Sequence, residues 1–397
     1  MRIDAFVFSC VVVWLGAGAC DSSGGDPGAT ADAGPPCTPA PADADAAFAA
    51  QHAPSSPEIA LASRIADRYI AEHPAEDLAY DWGEGVLVSA LWDLARVTGS
   101  QPYRDYARRW LDHHVKLGYT VTQSDRCVPA ITAALAYRER CDPSYRTIVD
   151  TTLRYLYQEA LRTPEGGLNH LGTSDLLGVT LWVDSLYMFG ELFIRWGETQ
   201  GDDRALGAYG EQLAIMRSKL QDDVGFFRHA HNWSRTEPNV YWARGNSWVI
   251  VSGTDYLRVL AAKGRTDDGA RTSLRKLADA IVASQDAKTG LWWSVVNRPG
   301  EIYLETSGSA LFAAGLARGL RAGVFDAATT RPALDKALAG VKSKIVDDAR
   351  GRPVVKDISG PTTAGTFADY ARVKLVDDLH FGVGGVILAL VEASGLP

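Results

Sequence analysis

Apolar side chains recur every three to four residues along most of the chain from about residue 57 onward. This spacing is that of an α-helix with one buried face, and no long alternating pattern of the kind that predicts a strand competes with it. Gly- and Pro-containing breakers divide the pattern into separate segments. The segments, twelve in number, lie near residues 57–73, 83–98, 102–117, 127–139, 143–162, 181–199, 203–220, 244–263, 269–286, 305–322, 330–346 and 379–394.

Two kinds of segment alternate along the chain. The odd-numbered segments, such as 102–117, carry charge on one face, which is typical of an outer helix with a solvated side. The even-numbered segments, such as 83–98 and 305–322, are apolar or small nearly all round, which is typical of a helix buried on both sides. A Gly-led turn also recurs at a spacing of roughly sixty residues, as a repeated helical hairpin would place it. The alternation predicts an all-α fold, an (α/α)6 toroid of six outer and six inner helices.

Residues 1–20 have the layout of an export signal. The apolar run from Phe6 to Leu15 is too short to span a bilayer as a helix, and small residues lead from it to Cys20. The stretch resembles a bacterial lipoprotein signal. The resemblance implies that Cys20 is lipidated and that the exported protein is held in a membrane through this lipid alone. The protein would then lie in the periplasm or at the cell surface. Ordinary secretory cleavage is the alternative. Residues 21–56, rich in Gly, Ala, Pro and Asp, predict a flexible tether, which leaves residues 57–397 as the folded domain.

The cysteines can be interpreted from the predicted compartment. Export implies an oxidising environment, in which disulfides persist. Cys127 and Cys141 flank a short helical segment and are a candidate pair, whereas Cys37 lies in the predicted tether and is expected to be unpaired. The spacing of Cys and His residues matches no zinc-site pattern, so the sequence predicts no metal site.

The charge and the aromatic content narrow the class of partner. The formal net charge is −8, and no run of Lys and Arg supplies the footprint that binding to nucleic acid requires. The chain contains eleven Trp and fifteen Tyr, more than helix packing alone explains, and flat aromatic faces suit stacking on sugar rings. We therefore expect a carbohydrate partner, no nucleic acid, and a protein that acts as a monomer.

The N-terminal ends of the inner helices are expected to share one rim of the toroid, because these helices run parallel. The inner segments begin with polar and aromatic residues, among them Trp82, Asp125, Asp184, Arg244 and His380. Helix capping explains one Asp, Ser or Asn at each start. It does not explain the adjacent Trp residues, nor a cation such as Arg244 at the positive end of a helix. The combination predicts a pocket for an acidic sugar.

Four of these helix starts also match a known family. The segments are Trp182-Val183-Asp184-Ser185-Leu186-Tyr187-Met188, Tyr241-Trp242-Ala243-Arg244-Gly245-Asn246-Ser247-Trp248, Glu305-Thr306-Ser307-Gly308-Ser309-Ala310 and His380-Phe381-Gly382-Val383-Gly384. With all four in order on twelve helices, the chain resembles the unsaturated glycuronyl hydrolases of glycoside hydrolase families 88 and 105. The resemblance covers residues 57–394, which makes the toroid the catalytic domain. Ser185, Ser247 and an inserted Phe381 depart from the family pattern.

The resemblance implies a role for each rim residue. Asp184 would be the catalytic acid/base, Asp125 a second catalytic carboxylate, and Arg244 would lie near the substrate carboxylate. From their positions at or near the helix starts, or after the Gly-led turn at Gly225, we also expect substrate contacts from Trp82, Trp182, Tyr187, His229, His231, Trp242, Asn246, Trp248 and His380. His170 follows a similar Gly-led turn and is a weaker candidate.

The implied reaction is hydration of the C4=C5 double bond that polysaccharide lyases leave in a terminal uronic acid. One carboxyl group must be protonated first and act as a base afterwards, and a pKa raised by the walls Trp182 and Tyr187 would suit Asp184 to that task. No metal or organic cofactor is implied, and the resemblance favours rhamnogalacturonan fragments as substrate. The alternatives are another toroid enzyme, such as a lyase or a sugar 2-epimerase, and a non-catalytic glycan-binding lipoprotein.

Overall fold

The computed structural model describes residues 37–41 and 45–396. The predicted export signal and Cys20 lie outside the described residues. The α-helices are α1 (Ala46–Ala49), α2 (Pro57–Glu72), α3 (Trp82–Thr98), α4 (Gln101–Leu117), α5 (Pro129–Arg140), α6 (Pro143–Arg154), α7 (Ser185–Met188), α8 (Gly190–Gln200), α9 (Asp203–Leu220), α10 (Ala243–Ala262), α11 (Asp268–Ala283), α12 (Thr306–Arg321), α13 (Ala327–Ser343), α14 (Phe367–Ala371) and α15 (His380–Ala393).

Short strands lie in the connections between the helices and pair as antiparallel couples. The couples are β1 (Leu181–Trp182) with β2 (Ala230–His231), β3 (Trp292–Trp293) with β4 (Leu304–Glu305), β5 (Ile345–Asp347) with β6 (Pro353–Val355), and β7 (Ile358–Ser359) with β8 (Leu375–Val376). Single 3-10 turns at Ala75–Asp77 and Ser124–Cys127 precede α3 and α5. A π-helical turn at Tyr155–Glu159 extends α6.

The predicted all-α toroid is confirmed. The twelve predicted segments correspond to α2–α6, α8–α13 and α15. Six of these helices form a closed inner ring, because α3, α5, α8, α10, α12 and α15 each contact the next and α15 contacts α3 again. The other six lie against the outside of this ring. One boundary differs: the segment predicted as a single helix over 181–199 begins as strand β1 and divides into α7 and α8.

Small residues allow the inner helices to approach closely. Gly384 of α15 faces the backbone of Leu87 in α3, and a Cβ atom at Gly384 would lie 2.8 Å from the Leu87 Cα. The core is completed by apolar side chains on both sides of each inner helix, as the absence of a polar face in these segments predicts. None of the described helices is both long enough and apolar enough to cross a lipid bilayer.

The predicted tether extends too far towards the C-terminus. Residues 45–56, which were assigned to it, contain α1 and pack on the helical ring. Asp45 forms ion pairs with Arg96 at 3.0 Å and with Arg104 at 2.9 Å, and the Arg96 guanidinium lies 3.8 Å from the ring centre of Phe48. The composition of this stretch predicted flexibility, but Asp45 and Phe48 within it have partners among the helices of the ring.

The cysteine predictions were wrong. Cys127 is free and buried, while Cys37 and Cys141 are each disulfide-bonded. Cys127 and Cys141 lie at opposite ends of α5, a helix of 12 residues. At about 1.5 Å per residue its ends are roughly 18 Å apart, whereas the Cα atoms of a disulfide lie within about 7 Å of each other. A bond across this helix is therefore geometrically excluded.

Candidate active site

The N-terminal ends of the inner helices open into a cavity of about 370 Å³, a size typical of small-ligand sites. Seven of the twelve residues predicted for the site line this cavity: Trp82, Asp125, Trp182, Asp184, Trp242, Arg244 and Trp248. The structure adds His170, which was a weaker candidate, and residues that the sequence interpretation did not place there: Gln123, Leu171, Leu177, Met188, Trp233, Pro361, Thr362 and Thr363. The gathering of helix starts at one rim is thus observed.

Tryptophan side chains form much of the cavity wall. Trp182 packs edge-on against Trp233, with ring centres 5.2 Å apart, and Trp82 stacks on Phe381 at 4.6 Å. The indole nitrogen of Trp182 donates a hydrogen bond to Thr180 Oγ1 at 3.1 Å, which fixes the plane of that ring. Flat apolar faces beside carboxylates and a guanidinium give the cavity the mixed character that sugar recognition requires.

Asp184 is placed by the pairing of β1 with β2. Leu181 pairs with His231 and Trp182 with Ala230, and the Val183 N–H donates to the His229 carbonyl at 2.8 Å. Asp184 then occupies the N-cap position of α7, but its side chain makes no capping hydrogen bond. The carboxylate is therefore not retained for the helix start, and capping is excluded as the reason for its presence.

The carboxylate of Asp184 instead contacts a histidine. His229 Nε2 lies 3.0 Å from Asp184 Oδ2, and both side chains are buried. Burial raises the pKa of Asp184, but the neighbouring His229, together with His170 and the backbone, lowers it by more, so the pKa lies below its ordinary value. The raised pKa expected from the walls Trp182 and Tyr187 was wrong, because these polar neighbours together outweigh the apolar surroundings.

Asp125 has the opposite electrostatics. It lies in the 3-10 turn before α5, at the cavity wall. Burial, together with the negative charges of Asp184 and Asp81, raises the pKa of Asp125 to about 7. Below pH 7 the cavity therefore contains an ionised carboxylate at Asp184 and a carboxyl group that holds a proton at Asp125. A pair of carboxyl groups with separated pKa values is the usual arrangement of a general acid and a general base.

His170 was underestimated by the sequence interpretation. Its ring stacks on Trp182 with centres 4.5 Å apart, and its Nε2 lies 3.9 Å from Asp125 Oδ1. Its Nδ1 is within hydrogen-bonding distance, 3.0 Å, of Ser185 Oγ. Burial lowers the pKa of His170 to about 4, so the imidazole is neutral at physiological pH. The Gly-led turn before it was the available signal, and the contact with Ser185 explains this departure from the family pattern.

Arg244 lines the cavity, but most of its donors bind protein groups. Its NH1 donates to Ser307 Oγ at 3.1 Å and to the Ser359 carbonyl at 2.8 Å. Its NH2 donates to the Gly360 carbonyl at 2.8 Å and to Thr362 Oγ1 at 3.2 Å. Only Nε has no hydrogen-bond partner among the described residues. The guanidinium thus fixes the loop at residues 359–362 while its charge faces the cavity.

Two predicted site residues point away from the cavity. Tyr187 packs on Trp248, with ring centres 4.6 Å apart, and faces the interior of the ring rather than Asp184. Asn246 has a structural role, since its Oδ1 accepts from the Phe227 N–H at 2.8 Å and its Nδ2 donates to the Phe227 carbonyl at 2.9 Å. These two contacts hold the turn before β2 against the start of α10.

The remaining histidines differ in their relation to the site. His229 lies behind Asp184 and contacts it without lining the cavity. His231 is partly exposed on β2, and burial and the charges of Lys219 and Arg228 lower its pKa. His380 opens α15 and lies 3.4 Å from Glu84 rather than at the cavity wall. The structure therefore does not bring His231 and His380 to the cavity.

Comparison with known proteins places this architecture in a family. The family model described as Glycosyl Hydrolase Family 88 matches residues 61–396. An unsaturated 3S-rhamnoglycuronyl hydrolase from Alteromonas sp. (strain LOR) is 25% identical over 218 residues, which are 53% of this chain and 50% of that protein. The chain thus matches about half the length of this relative.

Solved structures share the fold. A possible member of glycoside hydrolase family 105 from Salmonella enterica serovar Paratyphi A superposes with a TM-score of 0.71 at 24% identity, covering 79% of this chain and 82% of that chain. A family 105 glycoside hydrolase from C. acetobutylicum superposes with a TM-score of 0.75 at 20% identity, covering 84% and 98%. Because the family model spans the whole helical ring, the resemblance noted from the sequence is confirmed: the chain belongs to Glycosyl Hydrolase Family 88.

Proposed function

We propose that the protein hydrolyses oligosaccharides that end in an unsaturated uronic acid, by adding water across the C4=C5 double bond of that sugar. The observation that carries the proposal is that the carboxyl groups of Asp125 and Asp184 line one cavity, where the pKa of Asp125 is raised to about 7 and that of Asp184 is lowered. Membership of a glycoside hydrolase family and the name of the Alteromonas relative support the substrate class.

The carboxyl pair can supply both proton transfers of this reaction. The C4=C5 bond with the ring oxygen is a vinyl ether, so a proton from Asp125 adds to C4 and positive charge develops at C5 and the ring oxygen. The Asp184 carboxylate stabilises that charge. Water forms a bond to C5 and gives its proton to a carboxylate of the pair, which restores the single proton. The hemiketal at C5 then opens, and the resulting hemiacetal at C1 collapses and releases the neighbouring sugar as an alcohol.

Arg244 suits the negative charge of the substrate. It is fully buried, and among the described residues no carboxylate lies within ion-pair distance of its guanidinium. A buried cation without a carboxylate partner is costly, and the substrate carboxylate would reduce that cost. We propose that the charge of Arg244 and its unpartnered Nε–H attract the uronate to the cavity.

We propose rhamnose as the sugar that follows the unsaturated uronate, as in rhamnogalacturonan fragments. The support is the family resemblance and the rhamnoglycuronyl name of the relative. The two serines that depart from the family pattern do not alter the cavity wall directly. Ser185 Oγ contacts His170 Nδ1, and Ser247 Oγ donates to the Arg244 carbonyl at 2.7 Å.

The direct test is the ultraviolet absorbance of the double bond. Wild-type protein should remove this absorbance from unsaturated disaccharides, fastest where rhamnose follows the uronate. Asp184→Asn should lower kcat by at least about 100-fold, the usual contribution of general acid–base catalysis. Asp326→Asn is a matched control, because Asp326 caps α13 on the surface and Asn caps equally well, so its activity should equal the wild type.

Three outcomes would contradict the proposal in different ways. If the absorbance persists in disaccharides derived from pectin, glycosaminoglycan and ulvan, the hydrolase function is wrong. If absorbance instead appears when intact polysaccharide is supplied, the protein is a lyase. If Asp184→Asn retains the wild-type rate, the substrate class stands but the carboxyl pair is not the catalyst.

A further inference from the structure

A chain of polar contacts connects a loop beside the cavity to Asp184. The Gly365 N–H donates to the Tyr370 hydroxyl oxygen at 3.4 Å. That hydroxyl lies 2.8 Å from His229 Nδ1, and His229 Nε2 lies 3.0 Å from Asp184 Oδ2. Tyr370 itself is 1% exposed and comes from α14, remote in the chain from both other side chains.

The donors and acceptors in this chain determine the tautomer of His229. Among the described residues the buried Tyr370 hydroxyl contacts only the Gly365 N–H, which is a donor, and His229 Nδ1, so Nδ1 is the acceptor available to its O–H. A neutral imidazole that accepts at Nδ1 carries its proton on Nε2. His229 Nε2 and Asp184 Oδ2 lie 3.0 Å apart without hydrogen-bond geometry, and among the described residues neither atom has a hydrogen-bond partner. The Nε2 proton is therefore left for the carboxylate.

We propose that Tyr370 is a positioning residue that sets the tautomer of His229 and thereby holds Asp184 in its ionised form. It acts through the histidine and does not line the cavity. Burial raises the pKa of the Tyr370 hydroxyl, so the group remains a donor over the whole range in which the protein is folded. The kinetic test of this assignment rests on the proposed function, whereas the test of the His229 tautomer does not.

The charges of His170 and Arg244, which lie near Asp184, should stay the same when Tyr370 is replaced. The titratable groups that act on Asp184 from the packed elements are His229, His170, Asp125, Arg244 and Tyr370 itself. His170 is neutral because its pKa is about 4, and Arg244 keeps its charge at every accessible pH. A change in the titration of Asp184 in Tyr370→Phe that is absent when His229 is replaced therefore reports the tautomer of His229, since the direct effect of Tyr370 would persist.

The experiment is 15N NMR of the full chain labelled at histidine. In the wild type, His229 should show Nδ1 as an unprotonated acceptor and Nε2 as protonated. In Tyr370→Phe the two tautomers should mix, and the acid limb of kcat/KM, which reports ionisation of Asp184, should move up by about one pH unit. Tyr209→Phe is the matched control: it removes a buried hydroxyl, bound to Ser252 Oγ at 2.9 Å away from the cavity, and should change neither readout.

A second variant separates the proposed route from a general disturbance. In His229→Gln the amide N–H₂ can donate to Asp184 without help from Tyr370. Adding Tyr370→Phe to this variant should then leave the acid limb where it was. An equal shift in both backgrounds, or an unchanged His229 tautomer in Tyr370→Phe, would overturn the proposal. The NMR result decides the role of Tyr370 even if no tested disaccharide is hydrolysed.

Discussion

Aspartates at helix starts are common in this chain, and Asp184 differs from the others in what its side chain does. Asp202, Asp267 and Asp326 each accept hydrogen bonds from the first backbone N–H groups of the helix that follows. Asp184 makes no such bond and contacts His229. A buried carboxylate that does not serve the local backbone needs another reason to be kept, and its position in the cavity supplies one.

The separated pKa values predict a pH profile. The pKa of Asp125 is raised to about 7, so its proton is present below pH 7 and is lost as the pH rises through that value. Asp184 is ionised above its lowered pKa, so both groups are in the required state in mildly acidic solution. We expect kcat/KM to fall about tenfold per pH unit above pH 7. Measuring kcat/KM from pH 4 to 9 checks this.

A neighbouring charge provides a sharper version of this test. Asp81 raises the pKa of Asp125 and caps α3 through the Trp82 N–H, a role that Asn can also fill. Asp81→Asn should therefore move the alkaline limb to lower pH while the helix stays capped. A limb that stays in place, or moves to higher pH, would show that Asp125 is not the group responsible.

The sequence alone predicts which residues form the site better than it predicts their protonation states. Asp125, Asp184 and Arg244 follow from motifs at helix starts. The order of the two carboxyl pKa values could not be predicted, because His229, just before β2, follows Asp184 only after three intervening helices. Tyr370 also comes from far along the chain. Such contacts depend on how the connections between helices cross at the rim, which no local pattern encodes.

At the scale of elements, the start of α12 shows a segment of the family pattern whose polar groups serve the fold. Glu305 is fully buried, and its Oε2 accepts from the Ser307 N–H at 2.7 Å and its Oε1 from the Gly308 N–H at 2.6 Å. A Cβ at Gly308 would lie 2.5 Å from Glu305 Oε1 and 3.1 Å from the Arg244 backbone nitrogen. The motif therefore closes α12 against α10 and supports Arg244 through Ser307.

We expect the Glu305 side chain, which caps the start of α12, to contribute more to the free energy of unfolding than an ordinary helix cap. Glu305→Ala removes two backbone contacts and a contact to Ser307 Oγ in a dry environment, and should cost on the order of 3 kcal/mol of unfolding free energy. Asp326→Ala, at the exposed start of α13, should cost about 1 kcal/mol. Urea denaturation of both variants at pH 7 provides the comparison, and equal losses would contradict the structural role given to Glu305.

The helices themselves were predictable because their periodicity is local. The first residues of the helices were harder to predict where a strand precedes the helix, as β1 precedes α7. The direction of Tyr187 shows the same limit. On a helix Met188, four residues after Asp184, is rotated from it by about 40°, whereas Tyr187, three residues after, is rotated by about 60° to the other side. Met188 faces the cavity and Tyr187 the ring interior, a distinction that the motif does not reveal.

At the scale of the whole molecule, the end of the ring away from the cavity is held by buried ion pairs. Arg195 of α8 pairs with Asp93 of α3 at 3.1 Å and with Asp255 of α10 at 3.3 Å. Arg318 of α12 lies 3.8 Å from Asp255 and pairs with Glu392 of α15 at 2.7 Å. These contacts connect five of the six inner helices. The alternation of charged and apolar helical segments predicted a ring. The sequence interpretation gave no role to the charged residues that connect its helices.

This network predicts a large stability difference between two arginines. Arg318 is 3% exposed at its side chain, and Arg318→Met would leave Glu392 and Asp255 with less compensation, at a cost of about 3–5 kcal/mol. Arg64 pairs with Asp347 while 52% of each side chain is exposed, so Arg64→Met should cost under about 1 kcal/mol.

Chemical denaturation at pH 7 should show this contrast, and kcat at 25 °C should be unchanged in both variants because neither residue lines the cavity. The reason is geometric: Arg318 lies eleven residues beyond Ser307 on α12, about 16 Å along the helix from the end that supports the site. If Arg318→Met is no more destabilising than Arg64→Met, the buried pairs do not hold the ring. If it lowers kcat in the folded protein, the two ends of the ring are coupled, and the separation of a stabilising end from a catalytic end is wrong.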